Sequence, residues 1–167
     1  MTKLQVHEPH ALARPSREIE PWRTPDWQRL WLASQASPRP WRSLALLPAG
    51  PGASPETMLQ IAVSLAHTGM THLGTPIHVA DATRITLAQL TQFTEELEHY
   101  GKQSGIVLVA LSALSESVTS LTLAQTTDWV LLCVLLRKMS IAEGQKTVER
   151  IGKARFIGSA VFRVPPK

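Results

Sequence analysis

A chain of 167 residues, 44% hydrophobic and 18% charged, is long enough for one domain with a sizeable core and too apolar for wholesale disorder. Its net charge of +4 is uneven: residues 1–42 carry seven Lys/Arg against four Asp/Glu, residues 43–136 two against seven, and residues 137–167 eight against two. The start has no apolar core of signal-peptide length, the apolar run 129–136 falls far short of the roughly 20 residues a membrane-spanning helix needs, and the single Cys133 inside that run suits a small buried hydrophobe of a reducing compartment. A soluble, cytoplasmic chain is expected. The basic C-terminal part reads as solvated faces or as a surface for an acidic protein or an anionic membrane leaflet. Nucleic acid is not expected, because no helix-turn-helix or aromatic platform accompanies the charge.

Residues 1–42 stand apart as an N-terminal segment, holding six of the twelve prolines and four of the five tryptophans. The prolines forbid long regular structure. One short helix is predicted, with Thr24 as N-cap, Pro25 at its first position and Asp26 in its first turn. Trp27, Leu30 and Trp31 share one face of it. That face either folds back over an exposed edge of the domain or, with Trp22, docks a protein partner.

From residue 43 to 167 the pattern alternates. Strands are predicted at 43–48, 76–81, 105–111, 128–136 and 154–164, and helices at 54–67, 86–100, 115–126 and 140–152. Met58, Ile61, Ala62 and Leu65 line one face of the first of these helices, and Leu87, Leu90, Phe93 and Leu97 the next. Ser140 with Glu143 forms a capping box at the last. The run GIVLVAL at 105–111 is nearly continuous in apolar residues, as strands covered on both faces are. The expected fold is α/β: a three-layer sandwich around a mainly parallel sheet of about five strands.

In such sheets ligands bind beyond the carboxyl ends of the strands. The loop AGPGASPET at 49–57 joins the first strand to a helix, the layout of a phosphate-cradling loop. A working loop reads G-x-x-x-x-G-K-[ST]. Counted from Gly50 through Gly52, the second glycine falls on Ser54, the lysine on Pro55 and the metal-binding hydroxyl on Glu56. Thr57 keeps a hydroxyl one position later. Pro55 removes a backbone donor and Glu56 puts a carboxylate in the first turn, where the helix dipole favours it. The second strand ends at Asp81, which suits either a metal or a turn. The third ends at Ala110, where a Walker B strand would carry its aspartate. His67 and His72 flank no carboxylate or Cys at ligand spacing, so no metal site is predicted.

These pieces, in this order, resemble the cytoplasmic P-loop domain of bacterial tyrosine autokinases of capsule and exopolysaccharide synthesis (the CpsD/CapB group) and, more broadly, the MinD/ParA superfamily. PAGPGASPETMLQIAVSLA is similar to the family's S-A-G-P-G-E-G-K-S-T and alanine-rich helix; VADATR to its D-A-D-x-R motif, with Asp81 and Arg84 as remnants; VLVALSA to its I-I-D-T-P-P; and the stretch 121–164 to its closing strand, helix and strand. The resemblance covers roughly residues 20–164. The family's C-terminal tyrosine cluster has no counterpart: Tyr100 is the only tyrosine and VPPK follows the last strand directly.

The resemblance implies a P-loop-NTPase-like fold, and the departures from the family's pattern imply no bound cofactor and a catalytically inactive interaction or regulatory subunit of exopolysaccharide synthesis or secretion. Its partner would be a membrane-embedded polysaccharide synthesis or export component, holding the chain at the inner membrane face; a homo-oligomer is a further expectation. Two alternatives stand beside it: a MinD/ParA-like positioning or regulatory adaptor of cell division or a secretion apparatus, and an unconventional ATP-binding enzyme using Asp81 with Glu56 and Thr57.

Overall fold

The computed structural model describes residues 6–7, 25–103 and 105–163; Trp22 and the predicted cap Thr24 lie outside them. Six strands form one sheet: β1 (Val6–His7), β2 (Ser43–Pro48), β3 (Ile77–Asp81), β4 (Ile106–Ala110), β5 (Trp129–Leu135) and β6 (Phe156–Phe162), in the order β1-β3-β4-β2-β5-β6. The five long strands are parallel. The two-residue β1 runs antiparallel to β3, with Val6 opposite Ala80, and nothing in its sequence neighbourhood predicted it. The helices are α1 (Pro25–Gln35), α2 (Pro55–Leu73), α3 (Leu87–Gln103), α4 (Val118–Thr126) and α5 (Ile141–Ile151). None is long and apolar enough to cross a membrane among the described residues.

Strand residues alternate between two cores. Leu44, Leu46, Ile77, Val79, Leu108, Leu131 and Cys133 face α1 and α2 through Trp31, Met58, Ile61 and Leu65. Ala45, Leu47, Val107, Val109 and Val130 face the opposite side, covered by Phe93 and Leu97 of α3, Leu123 of α4 and Ile151 of α5. Each fully buried Leu, Ile or Met is worth about 1.5–3 kcal/mol relative to exposure, so both faces of the sheet contribute to stability. Burial pushes the Cys133 thiol far up from its ordinary pKa, which leaves it an inert hydrophobe.

Several boundaries shifted: α3 runs on to Gln103, α4 begins at Val118 and β6 spans only Phe156–Phe162. α2 runs past residue 67 to Leu73 and stops at Gly74, whose positive φ of 68° turns the chain and whose N–H bonds Met70 O at 2.8 Å. Leu87, predicted inward, is 66% exposed, because it opens α3 at the carboxyl end of the sheet, past the strands it would cover. α1 belongs to the α2 face of the sandwich: Trp31 is 0% exposed, meets Trp41 edge-on at 6.0 Å, and Trp41 Nε1 donates to Ser34 O at 2.9 Å.

Candidate functional site

The loop between β2 and α2 lies at the carboxyl end of the central strand, and three elements hold it. Ala49 donates its N–H to Cys133 O on β5 at 2.9 Å, and Thr147 Oγ1 of α5 donates to Ala49 O at 2.7 Å. Gly52 sits at φ +105°, a conformation open to glycine and strained for other residues. Gly50 has no room for a side chain: a Cβ there would lie 2.9 Å from Glu143 Oε2, in the first turn of α5.

Downstream, the start of α2 is closed by its own residues. Ser54 is the N-cap, accepting the Thr57 amide at 3.1 Å, and its hydroxyl also meets Thr57 Oγ1 at 2.9 Å. Pro55 occupies the first helical position and offers no N–H. Glu56 is exposed and pairs with Arg84 at 2.8 Å. Its own backbone amide, then Arg84 and Ser54, hold its carboxyl below the ordinary carboxylate range. Glu143 is likewise held low, by the Ser140 amide at 2.9 Å, the Ser140 hydroxyl at 3.1 Å and Lys146. Two ionised carboxylates therefore flank the loop, one in the first turn of α2 and one against Gly50.

The neighbouring strand ends are equally self-satisfied. Asp81 Oδ1 accepts from the Thr83 amide at 3.0 Å and the Thr83 hydroxyl at 2.6 Å, a turn of the Asx type. Ala110, opposite Asp81 in the β3–β4 register, is fully buried. Ser112 Oγ donates to Thr83 O at 2.6 Å and ties the two loops together. Among the described residues no group of three or more His, Cys, Asp or Glu side chains is arranged to hold a metal. Of the polar set named from the sequence, Glu56 faces Arg84, Thr57 faces Ser54 and Asp81 faces Thr83. The Mg²⁺-triphosphate that such loops cradle would need an ammonium, a metal-binding hydroxyl and a carboxylate at the end of the third predicted strand; Pro55, Glu56 and Ala110, the residues counted to those places from the sequence, supply none of the three and do not fit it.

Sequence reasoning missed the contribution of α5. Glu143 was legible as half of a capping box, but its approach to Gly50 and the bond from Thr147 cross 93 and 98 residues of chain, and no local pattern encodes them.

The proposed docking residues separate into two kinds. Trp31 is a core residue, contrary to its expected place among the partner-binding candidates, because its ring fills the notch above Gly69, where a Cβ would lie 2.6 Å from it. Trp27 and Leu30 are half-buried beside β6, with the Trp27 and Phe162 rings 5.6 Å apart. They line a groove of about 600 Å³ between α1 and the end of β6.

The sequence matches no known family model and no curated protein. Several solved structures share its fold, two of them as follows. The chimerical protein CapA2B2 aligns over 87% of this chain and 87% of its own at 14% identity, with a TM-score of 0.63. The BceF tyrosine kinase domain aligns over 83% of this chain and 75% of its own at 16% identity, with a TM-score of 0.57. The likeness is one of fold: an α/β sandwich with five parallel strands.

Proposed function

We propose that this chain is a catalytically inactive counterpart of the bacterial tyrosine autokinases that retains their scaffold and serves as an interaction or regulatory subunit of exopolysaccharide synthesis or secretion. One observation carries the reading. The helix end that would receive a phosphate is filled by Ser54, Pro55 and the Glu56–Arg84 pair. Phosphoryl transfer rests on positioning and charge neutralisation, and removal of a single preorganised donor typically costs about 10²–10³ in rate. Here the cation is replaced by an imino ring and an acid, and a second acid, Glu143, lies against the loop. A polyphosphate at this mouth would have to break the Glu56–Arg84 pair and lie beside Glu143.

The pathway assignment is supported by the order of the sequence motifs and by the fold shared with a tyrosine kinase domain. A membrane-embedded synthesis or export component is the partner this reading entails. The basic run of residues 137–167, with eight Lys/Arg against two Asp/Glu, suits an acidic partner surface or the inner membrane face.

Calorimetric titration of the full chain with ATP and ADP, with and without Mg²⁺, tests the loss of nucleotide chemistry. No saturable binding is expected up to millimolar nucleotide. Rebuilding the loop with Ser54→Gly, Pro55→Lys and Glu56→Ser together is expected to create measurable affinity. Micromolar binding by the unaltered chain would overturn the reading.

A further inference from the structure

The connection from β5 into α5 presents an unusual mixture of side chains. Of residues 136–142 only Met139 turns inward, its Sδ accepting the Leu135 amide at 3.4 Å, and the other six are exposed. Lys138 donates its N–H to Leu135 O at 3.2 Å and Arg137 holds a φ of 65°, so the chain makes a tight turn at the surface. Leu136, just past β5, is exposed, and Ile141, the first residue of α5, is 83% exposed. Single apolar side chains on a surface are ordinary, but these two have company. Leu87 and Val118, the first residues of α3 and α4, are exposed as well. Helices that follow the strands of a parallel sheet begin at its carboxyl end. Four of the seven large apolar side chains exposed among the described residues therefore stand at that one end.

Positive charge is concentrated beside the same turn. Between residues 136 and 153, Arg137, Lys138, Lys146, Arg150 and Lys153 are exposed, against Glu149 as the one exposed acid. Glu143 is occupied by the Ser140 amide and hydroxyl and lies against Gly50. Elsewhere at the carboxyl end Glu56 is paired with Arg84, Asp81 is closed in its turn with Thr83, and Glu116 stands exposed ahead of α4.

We propose that the corner formed by Leu136, Arg137, Lys138, Ile141 and Lys146 is a membrane-docking surface that seats on an anionic lipid leaflet. Leu136 and Ile141 enter the boundary of the acyl chains, and the three cations meet the headgroups. Lys146 lies about 7.5 Å along the helix from Ile141, within a Debye length of the same surface, and Arg150 continues the charge along the outer face of α5. Charge and shape together select a leaflet. A protein partner is gripped through aromatic anchors fitted into shaped pockets. This corner is a turn and a helix start with no aromatic side chain, and its residues line no part of the groove at α1 and β6. Apolar side chains interleaved with cations at a projecting edge are what an anionic interface binds, because lipid requires no shape complementarity. The inference rests on the membrane location in the proposed function and names the surface responsible for it; it does not depend on the state of the β2–α2 loop.

Co-sedimentation of the full chain with phosphatidylglycerol-containing vesicles, and with vesicles of phosphatidylcholine alone, provides the test. Binding to the anionic vesicles is expected, weakening as salt is raised, with little binding to the neutral ones. Each cation near an anionic leaflet contributes roughly five-fold to partition, so Arg137→Asn with Lys138→Gln is expected to weaken it roughly twenty-fold. Asparagine is chosen at 137 because it tolerates the left-handed turn. The circular dichroism spectrum is expected to be unchanged, since both side chains are exposed. Ile141→Cys carrying an environment-sensitive fluorophore is expected to shift to the blue on anionic vesicles; Cys133, fully buried, stays unlabelled. No binding to anionic vesicles at low salt would refute the proposal. So would binding indifferent to the two substitutions, a fluorophore at 141 that stays in water, or a corner that binds polyglutamate and ignores vesicles. The nucleotide titration separates the two readings. Micromolar ATP binding by a chain that docks on vesicles as described overturns the proposed function and leaves this surface standing, whereas absent vesicle binding overturns the surface alone.

Discussion

Ser54, Pro55 and Glu56 close the start of α2 with its own residues. A hydroxyl takes the Thr57 amide, a ring removes a donor, and a carboxylate takes up the favourable field of the helix start. Their consequence was readable from the sequence, because capping and the helix dipole act within a single turn. Arg84 as the partner of Glu56 was not, since 28 residues separate them. Glu143 is the residue whose titration reports the site. Its folded-state carboxyl is held below the ordinary value of about 4.3 by the Ser140 amide and hydroxyl. A depressed carboxylate pKa stabilises the fold above the unfolded value, and that contribution is lost as pH falls through the folded one. Melting temperature is therefore expected to drop on acidification below about pH 4.3, with a shallower slope in Glu143→Gln. Identical slopes in the two proteins would show that the Ser140 contacts do not hold Glu143 in solution.

At the scale of elements, Gly69 inverts the usual rule for helix glycines. It lies inside α2, where Ala is ordinarily the better residue by about 1 kcal/mol. An added Cβ, however, would sit 2.4 Å from Ile77 Cδ1 and 2.6 Å from Trp31. The overlap involves two fully buried side chains, so Gly69→Ala is expected to destabilise by about 1–3 kcal/mol, as overpacking does. Urea unfolding checks the sign: a gain in midpoint would mean that α1 yields without resistance. The same contact explains why Trp31 follows the fold-back reading of that face. The i, i+3, i+4 spacing fixed that Trp27, Leu30 and Trp31 share a face, but the notch at Gly69 decided which of them would be swallowed. Helices α3 and α5 were legible because their apolar periodicity and capping signals are local. The first residue of α3, Leu87, was not, since its exposure depends on where the strands beneath it end.

Across the molecule, α5 reaches back to the β2–α2 loop through Thr147, which donates to Ala49 O at 2.7 Å from a position 98 residues away. Thr147→Val keeps the volume and removes the donor. A buried carbonyl left without its partner costs about 1–3 kcal/mol, and the loss is expected to appear in urea unfolding together with faster hydrogen exchange at the loop amides. Unchanged exchange there would mean that the bond from Ala49 N–H to Cys133 O holds the loop by itself. At the other end of the sheet, Asp128 binds the amides of Arg42 and Ser43 at 2.8 and 3.1 Å, fixing the start of β2 against that of β5. The bonds from Thr147 and to Cys133 anchor the loop at Ala49, its first residue.

The α/β class, the five parallel strands and the helix order were legible in the order of the amino acids alone. Apolar periodicity, capping and proline geometry operate over a few residues, and each of those features is written within a few residues. Distant segments had to meet to settle the rest: the Glu56–Arg84 pair, the approach of Glu143 to Gly50, the burial of Trp31, and the placing of β1 at one edge of the sheet and β6 at the other among the described residues. Strand order in a sheet, and hence which strand is left at its edge, is set by the packing of both faces at once, and no stretch of chain carries that information alone.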